Sequence, residues 1–440
     1  MGYTYDRNKI IASGMKLCEQ IELSITHNAS LGDGVGRHEG LPVYVPYTME
    51  GDNVRVEIIH RGAELMRGRL LEILTPSPHR HSPACQYFGV CGGCSLQHLA
   101  PDYYRTLKEH AALRVLKDLK QPEHLMQPLI DVGAQSRRRV QWAVRVYKGE
   151  VILGYQLPKS HEVVGIHSCP VAVPALNTLL PTLQACIQSM KKPSSIASVA
   201  LTSVQQGIDA LLHLRTPLHT TDTPLLQQFA RDHAILRIAT QEAGNAHYHI
   251  IHQTAEPSVL LGDIAISLPV DSFLQASEVA QNAIIGMVQQ HLQGCTQVVD
   301  IYAGCGTYGF PLHPYVNTLT AYEGAPEMVA AIHNAAHRHG IEQKITATCR
   351  DLFTSPLTAA ELQHYDGAII NPPRNGALPQ IKQLAKSGIP RIAMISCNPS
   401  TFTRDAFALI QAGYQLQCLT PVDQFVWSAH LEIVGLFARH

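Results

Sequence analysis

The chain has 440 residues, with 34 Lys and Arg against 35 Asp and Glu, a formal net charge of −1, and 45% hydrophobic against 16% charged residues. That balance excludes a disordered chain and leaves room for two or three domains with a sizeable core. It also lacks the overall basic footprint that phosphate binding leaves, so any contact with a polyanion must be local.

No apolar run reaches 18 residues, so no membrane span is expected. The opening MGYTYDRNKI has no apolar signal core, and Asp6 stands where myristoylation favours Ser or Thr. A cytoplasmic protein is the expectation. Arg61, Arg67 and Arg69 fall close together and Arg137, Arg138 and Arg139 are consecutive; on charge alone both groups read as solvated arginines. The 24 histidines are scattered and are given no metal role.

Residues 20–76 alternate apolar and polar residues between glycine breaks, which predicts a small antiparallel β-barrel. A Pro-rich break follows at Thr75–Pro78. Next come Cys85, Cys91 and Cys94 in CQYFGVCGGC, with Cys169 much later in IHSCPV. Four thiolates at such a spacing predict a metal site, zinc or an iron–sulfur cluster. The spacing does not choose between them, and it is not the C-x3-C-x2-C of radical enzymes. Cys18, Cys186, Cys295, Cys305, Cys349 and Cys418 read as ordinary small buried residues.

A helix is predicted from about Pro101 to Leu119, then strands in RRRVQWAVRVYKGEVILGYQL; residues 171–265 carry no clear pattern. From about Ile266, strand-like TQVVDIYAG, TLTAYEG, YDGAIINPP and RIAMISCNP alternate with helical stretches. This predicts an α/β, Rossmann-like doubly wound sheet. The resulting division is 18–78, an OB-like barrel; 79–265, a central α+β domain with the cysteines; and 266–440, the doubly wound domain.

The first strand of that last domain ends in a glycine-rich turn, VVDIYAGCGTYGF, where Gly304 and Gly306 let the backbone approach a ligand. Glu323 ends the next strand, where an acid suits a ribose diol, and Asp351 follows the third, where a carboxylate suits an adenine amino group. GCGTYG also fits a dinucleotide fingerprint. Two further loaded strand ends, at Asn371 and Cys397, argue instead for a reaction centre. Taken singly, Cys397 in S-C-N-P reads as a buried strand-end cysteine, and Glu432 in HLEIV as a surface acid.

Together the segments SFLQAS, DIYAGCGTYGFPL, AYEG, INPPRNG, ISCNPSTFTRD and SAHLEIVGLF resemble the RNA uracil-C5-methyltransferase family in order and spacing. The residues around Cys85 are similar to its iron–sulfur branch, and GLPVYVPYTMEGDNVRVEII resembles the TRAM domain, an RNA-binding module of the OB type. The resemblance runs from about residue 20 to the end and is thin between about 171 and 260. It implies Cys397 as nucleophile and Glu432 as general base. It implies Gln275, Tyr302, Thr307, Glu323, Asp351 and Asn371 as the S-adenosylmethionine site. It also implies a 4Fe–4S cluster on Cys85, Cys91, Cys94 and Cys169. The substrate it favours is 23S ribosomal RNA, with transfer RNA as the other target, for a protein acting as a monomer.

That chemistry needs a thiolate to add to carbon 6 of uracil, a base for the carbon 5 proton, and donors for the enolate oxygen. One departure stands out: Asn371 replaces the aspartate usual in the family's D-P-P-R, exchanging an acceptor for a donor and acceptor. N-P-P also leaves open an amino-group methyltransferase, although Arg374 stands where those carry an aromatic residue and S-C-N-P would be unexplained. A degenerate RNA-binding assembly factor is the third reading, on the strength of Asn371.

Overall fold

The computed structural model describes residues 19–30, 32–158 and 160–439. Cys18 and the opening segment lie outside the described residues. The described residues form two compact units, one within 19–83 and 95–107, the other within 84–94 and 108–439.

The first unit is a six-stranded sheet running from Gln20–Ser24 to Met66–Thr75. Alternation in NVRVEII and LPVYV turns Val43, Val45, Val54 and Val56 inward, where all four are fully buried. Its pairings are antiparallel except that of Leu41–Val45 with Met66–Thr75. Asp52 is buried and fixes the end of the sheet: it accepts from the Met49 and Ser77 amides and from Arg80 Nη2 at 2.6 Å. Two of the candidate basic residues here are paired, Arg61 with Glu39 and Arg69 with Glu57, so this cluster is largely neutralised.

In the second unit, the 139–156 segment forms a hairpin, Arg139–Tyr147 against Glu150–Gln156. Lys148 and Gly149 take φ of 51° and 83°, as a tight two-residue turn requires. The patternless stretch after 171 completes a seven-stranded sheet with this hairpin, covered by helices Pro174–Ser189 and Asp222–Asp232. The predicted helix spans Pro101–Asp118.

The doubly wound sheet has eight strands. Starting at one edge these are Ile345–Cys349, Thr318–Glu323, Gln297–Ile301, Gly367–Ile370, Arg391–Ser396, Glu432–Ala438, Gln415–Asp423 and Ile130–Asp131. The first five are parallel, and their near-continuous apolar runs (Ile369, Ile370, Met394, Ile395) are fully buried between helices on both faces. Glu432–Ala438 runs antiparallel to Arg391–Ser396, a reversal that β-α alternation does not foretell. The order of the strands turns back between Gln297–Ile301 and Gly367–Ile370. Crevices at such switch points, at the carboxyl ends of the strands, are where ligands bind in this architecture.

Candidate active site

The glycine turn leaves the Gln297–Ile301 strand through Tyr302, whose φ of 62° is unusual for a non-glycine residue. Gly304 follows at φ 57°, with open space where a side chain would project, so bare backbone faces the crevice. Glu323 gathers the turn: one carboxylate oxygen accepts from the Gly304 amide at 2.8 Å and the other from the Gly324 amide at 2.7 Å. Beneath lies Asp300, fully buried, with neither oxygen making a well-formed hydrogen bond. Burial, then the Glu323 charge, raises its pKa to about 7. Thr307 is buried in the same turn. The Tyr302 ring lies 5.5 Å from that of Phe353, which is half exposed and offers a flat apolar surface. Asp351 is exposed and caps its own turn through the Phe353 amide and Thr354 Oγ1, both at 2.9 Å.

Asn371 follows the Gly367–Ile370 strand, its amide donating to the Ile301 carbonyl at 3.3 Å, so it stands beside the glycine turn. The S-C-N-P motif has a local cause. Asn398 caps the helix Pro399–Gln411 by accepting from the Ser400 amide, and Pro399 occupies the first helical position, where no N–H is needed. Cys397 is thereby held in the tight turn between strand and helix. The Asn398 side chain also donates to the Arg374 carbonyl at 3.0 Å, tying the two motifs together.

Antiparallel pairing then brings Glu432 in. The ladder ends at Ser396 and Ile433, so Cys397 and Glu432, the residues just beyond that last pair, lie at the same edge, near enough for the Glu432 charge to act on the Cys397 thiol. Because that strand is reversed, its first residue shares the edge where the parallel strands end. Read alone as a surface acid, Glu432 is instead 2% exposed. Burial pushes its carboxyl up to about 7, with the Gln424 hydrogen bond pulling down. Burial, and then the Glu432 charge, raise the Cys397 thiol, while the Arg374 guanidinium lowers it.

Gln275 is buried, and its side-chain oxygen accepts from Gln424 Nε2 at 2.8 Å. Its carbonyl accepts from Arg138 Nε at 3.0 Å. Of the three consecutive arginines, Arg138 is therefore a buried strut, Arg139 pairs with Asp271, and Arg137 lies 5.9 Å above the Phe425 ring. Gln424 gave no signal in the sequence, since no motif spacing marks it. Arg138 was visible only as one member of a charge run.

The four clustered cysteines lie in the second unit, and no disulfide joins the described cysteines. Cys85 and Cys169 line a cavity of about 270 Å³ with Tyr87, Gln135 and Asn177. Thiolate charge at Cys169 raises the pKa of both Cys85 and Cys91, after burial. Asn177 clamps the Cys169 backbone, accepting from its amide at 2.7 Å and donating to its carbonyl at 3.0 Å. Of the cysteines read as buried, Cys186, Cys295 and Cys305 are so; Cys349, last residue of an edge strand, is exposed, and Cys418 is intermediate.

A sheet of this order, with a bare glycine turn after the Gln297–Ile301 strand and Glu323 ending the Thr318–Glu323 strand beside it, defines a Rossmann-like S-adenosylmethionine-dependent methyltransferase. The model of the tRNA (uracil-5-)-methyltransferase family matches residues 263–440, and that of the TRAM domain matches residues 17–71. An uncharacterized RNA methyltransferase of Caulobacter vibrioides is 36% identical, over 95% of this chain and 100% of its own. The 23S rRNA (uracil(1939)-C(5))-methyltransferase of Shewanella amazonensis is 28% identical over 96% of each chain. The crystal structure of the Pyrococcus abyssi tRNA (uracil-54, C5)-methyltransferase with S-adenosyl-L-homocysteine superposes with a TM-score of 0.74, at 18% identity, over 95% of this chain and 100% of that one; this similarity shows the shared fold. The chain belongs to the family of S-adenosylmethionine-dependent RNA (uracil-5-)-methyltransferases. Among the described residues no helix is long and apolar enough to cross a membrane.

Proposed function

We propose that this protein methylates carbon 5 of a uridine in 23S ribosomal RNA through a covalent adduct on Cys397, with Glu432 removing the carbon 5 proton. The observation that carries the reading is that the antiparallel ladder ends at Ser396 and Ile433, which leaves Cys397 and the buried Glu432 side by side at the edge where the parallel strands end, within reach of each other's charge. The Cys397 thiolate bonds to carbon 6, and the electron pair of the C5=C6 bond moves to carbon 5 as an enolate. When bound, S-adenosylmethionine would supply the electrophilic methyl group that carbon 5 takes, its S–CH3 bond breaking to leave S-adenosylhomocysteine. Glu432 then accepts the carbon 5 proton, C5=C6 re-forms, and Sγ leaves as thiolate. A base near pKa 7 suits that task at neutral pH. The bare Gly304 turn and the open aromatic surface at Tyr302 fit the cofactor; Gln275, Tyr302, Thr307, Glu323, Asp351 and Asn371 would hold it.

Cys85, Cys91, Cys94 and Cys169 would hold a 4Fe–4S cluster. Burial, and then a neighbouring Cys169 charge, raise the Cys85 and Cys91 thiols, and Cys85 and Cys169 line one cavity; such a site fits a polynuclear cation that stabilises the thiolate forms. Four thiolates would fill all four positions and leave none open for substrate, so the role of such a cluster would be structural or RNA-positioning. Residues 18–78 serve as an RNA platform, 79–265 as the cluster domain and 266–440 as the catalytic domain, in a cytoplasmic monomer. The Shewanella relative supports ribosomal over transfer RNA.

The test is incubation with a 5-fluorouridine-substituted 23S rRNA transcript and S-adenosylmethionine. A denaturation-stable adduct that Cys397→Ala abolishes supports the reading. Methyl transfer without an adduct overturns it in favour of amino-group chemistry, and RNA binding with neither leaves an assembly factor. An adduct formed with transfer RNA transcripts and not with 23S rRNA overturns the ribosomal target alone.

A further inference from the structure

We propose that Gln424 is a positioning residue for the methylation reaction, holding Glu432 aimed and ionised while tying it to the cofactor-site residue Gln275. The inference rests on the reading of Cys397 and Glu432 given above. Gln424 is 2% exposed, in the loop after the Gln415–Asp423 strand. Its Nε2 donates to Glu432 Oε2 at 2.7 Å and to Gln275 Oε1 at 2.8 Å, using both of its N–H bonds. Its Oε1 accepts from the Ala276 amide at 3.2 Å.

The Ala276 contact decides which end of the amide faces Glu432. Turning it over would set N–H against N–H at Ala276 and oxygen against oxygen at Gln275, and would favour a protonated Glu432. Ala276 is itself fixed, since its carbonyl accepts from the Arg138 amide at 2.9 Å while Arg138 Nε holds the Gln275 carbonyl. One strut thus organises cofactor contact and base together. Without the Gln424 donor, a carboxyl this deeply buried would keep its proton near neutrality and could not accept another from carbon 5. The other titratable groups facing Glu432 are Cys397 and Tyr308, both of which its charge reaches and neither of which brings positive charge. Gln424 is therefore the group that favours the ionised base.

Gln424→Met keeps the length and removes the donors. Gln424→Glu keeps the shape and substitutes an acceptor, so it carries the same test if the Met variant fails to fold. Single-turnover methylation of an unmodified 23S rRNA transcript would be followed across pH, scoring denaturation-stable adduct against released 5-methyluridine RNA. In both variants the acidic limb for product release should move up by about one pH unit or more, further for Glu than for Met, so that release slows about tenfold near pH 6.5 and recovers at alkaline pH. Methylated adduct should accumulate at the acidic end. A uniform loss at every pH, or an unchanged profile, overturns the proposal. If Cys397→Ala still makes 5-methyluridine, the underlying covalent reading fails, and this inference with it.

Discussion

Lys108 Nζ stands 2.8 Å from Asp423 Oδ1, and the two side chains are 3% and 0% exposed. The same ammonium donates to the His430 carbonyl at 2.5 Å. Burial lowers the pKa of Lys108, and the Asp423 charge opposes that shift. The pair brackets the loop that carries Gln424 and leads into Glu432. Lys108 therefore anchors, within the second unit, the segment from which the candidate base emerges.

Removing one member of a buried pair costs more than the pair contributes, because the other is left charged and dry. Lys108→Met should destabilise the second unit by about 3–5 kcal/mol in urea unfolding, and Lys108→Met with Asp423→Leu should recover much of that loss. A loss below about 1 kcal/mol for the single variant would show that the loop is held by other contacts.

The Cys397 thiol is raised by burial and by Glu432, and lowered by Arg374. Arg374 Nη2 also lies 3.0 Å from His430 Nδ1, which holds the guanidinium near the thiol. Arg374→Leu should raise the thiol pKa further, so thiolate becomes scarcer at neutral pH and returns only in alkali. Adduct formation with 5-fluorouridine RNA should slow about tenfold near pH 7 and approach the unmutated rate above about pH 9. A pH-independent deficit would assign Arg374 to RNA contact instead.

Glu432 carries its proton to about pH 7 in the folded chain, against an ordinary value of 4.5. An acid whose folded pKa is raised favours the folded state while protonated. Its stabilising share is present below the unfolded pKa and is lost as pH rises through the folded one. Glu432→Gln should therefore be more stable than the parent near pH 8, by on the order of 3 kcal/mol, with the gap closing near pH 4. The same variant should turn over about a hundredfold or more slowly and trap methylated adduct. Equal stability at every pH would mean that the carboxyl is better solvated than its burial implies.

Asn177 binds both backbone groups of Cys169 through one amide. Asn177→Ala should loosen that ligand, weakening cluster retention about 10- to 100-fold, read as iron and sulfide per chain after anaerobic purification. Cys169→Ser should give a colourless preparation. Stoichiometric zinc and no iron in the unmutated protein would refute the cluster.

The glycine turn, S-C-N-P and the C-x5-C-x2-C spacing were legible in the sequence for one reason. Each is a local pattern, a turn, a helix cap or three thiols within ten residues, carried by residues close together in the chain. Strand periodicity likewise marked the barrel and the parallel strands, because an inward-facing side chain recurs at a fixed interval. Residues 171–265 were opaque because strands such as Ile196–Val204, Gly207–Leu214 and Ile235–Glu242 bury runs of consecutive residues, which erases the alternation.

What only the tertiary structure decided is how distant residues meet. Glu432 became a buried partner of Cys397 through the reversal of one strand, and a reversal is a property of connection rather than of composition. Gln275, Gln424 and Glu432 span more than 150 positions in the chain and touch within hydrogen-bonding distance. Arg138 sits in a charge run yet is buried, because the neighbouring segment brought carbonyls to it. Sequence by itself determined which chemical groups are available. The fold, through register and burial, decided which of them act on one another, because desolvation and hydrogen bonding depend on neighbours in space and not on neighbours in the chain.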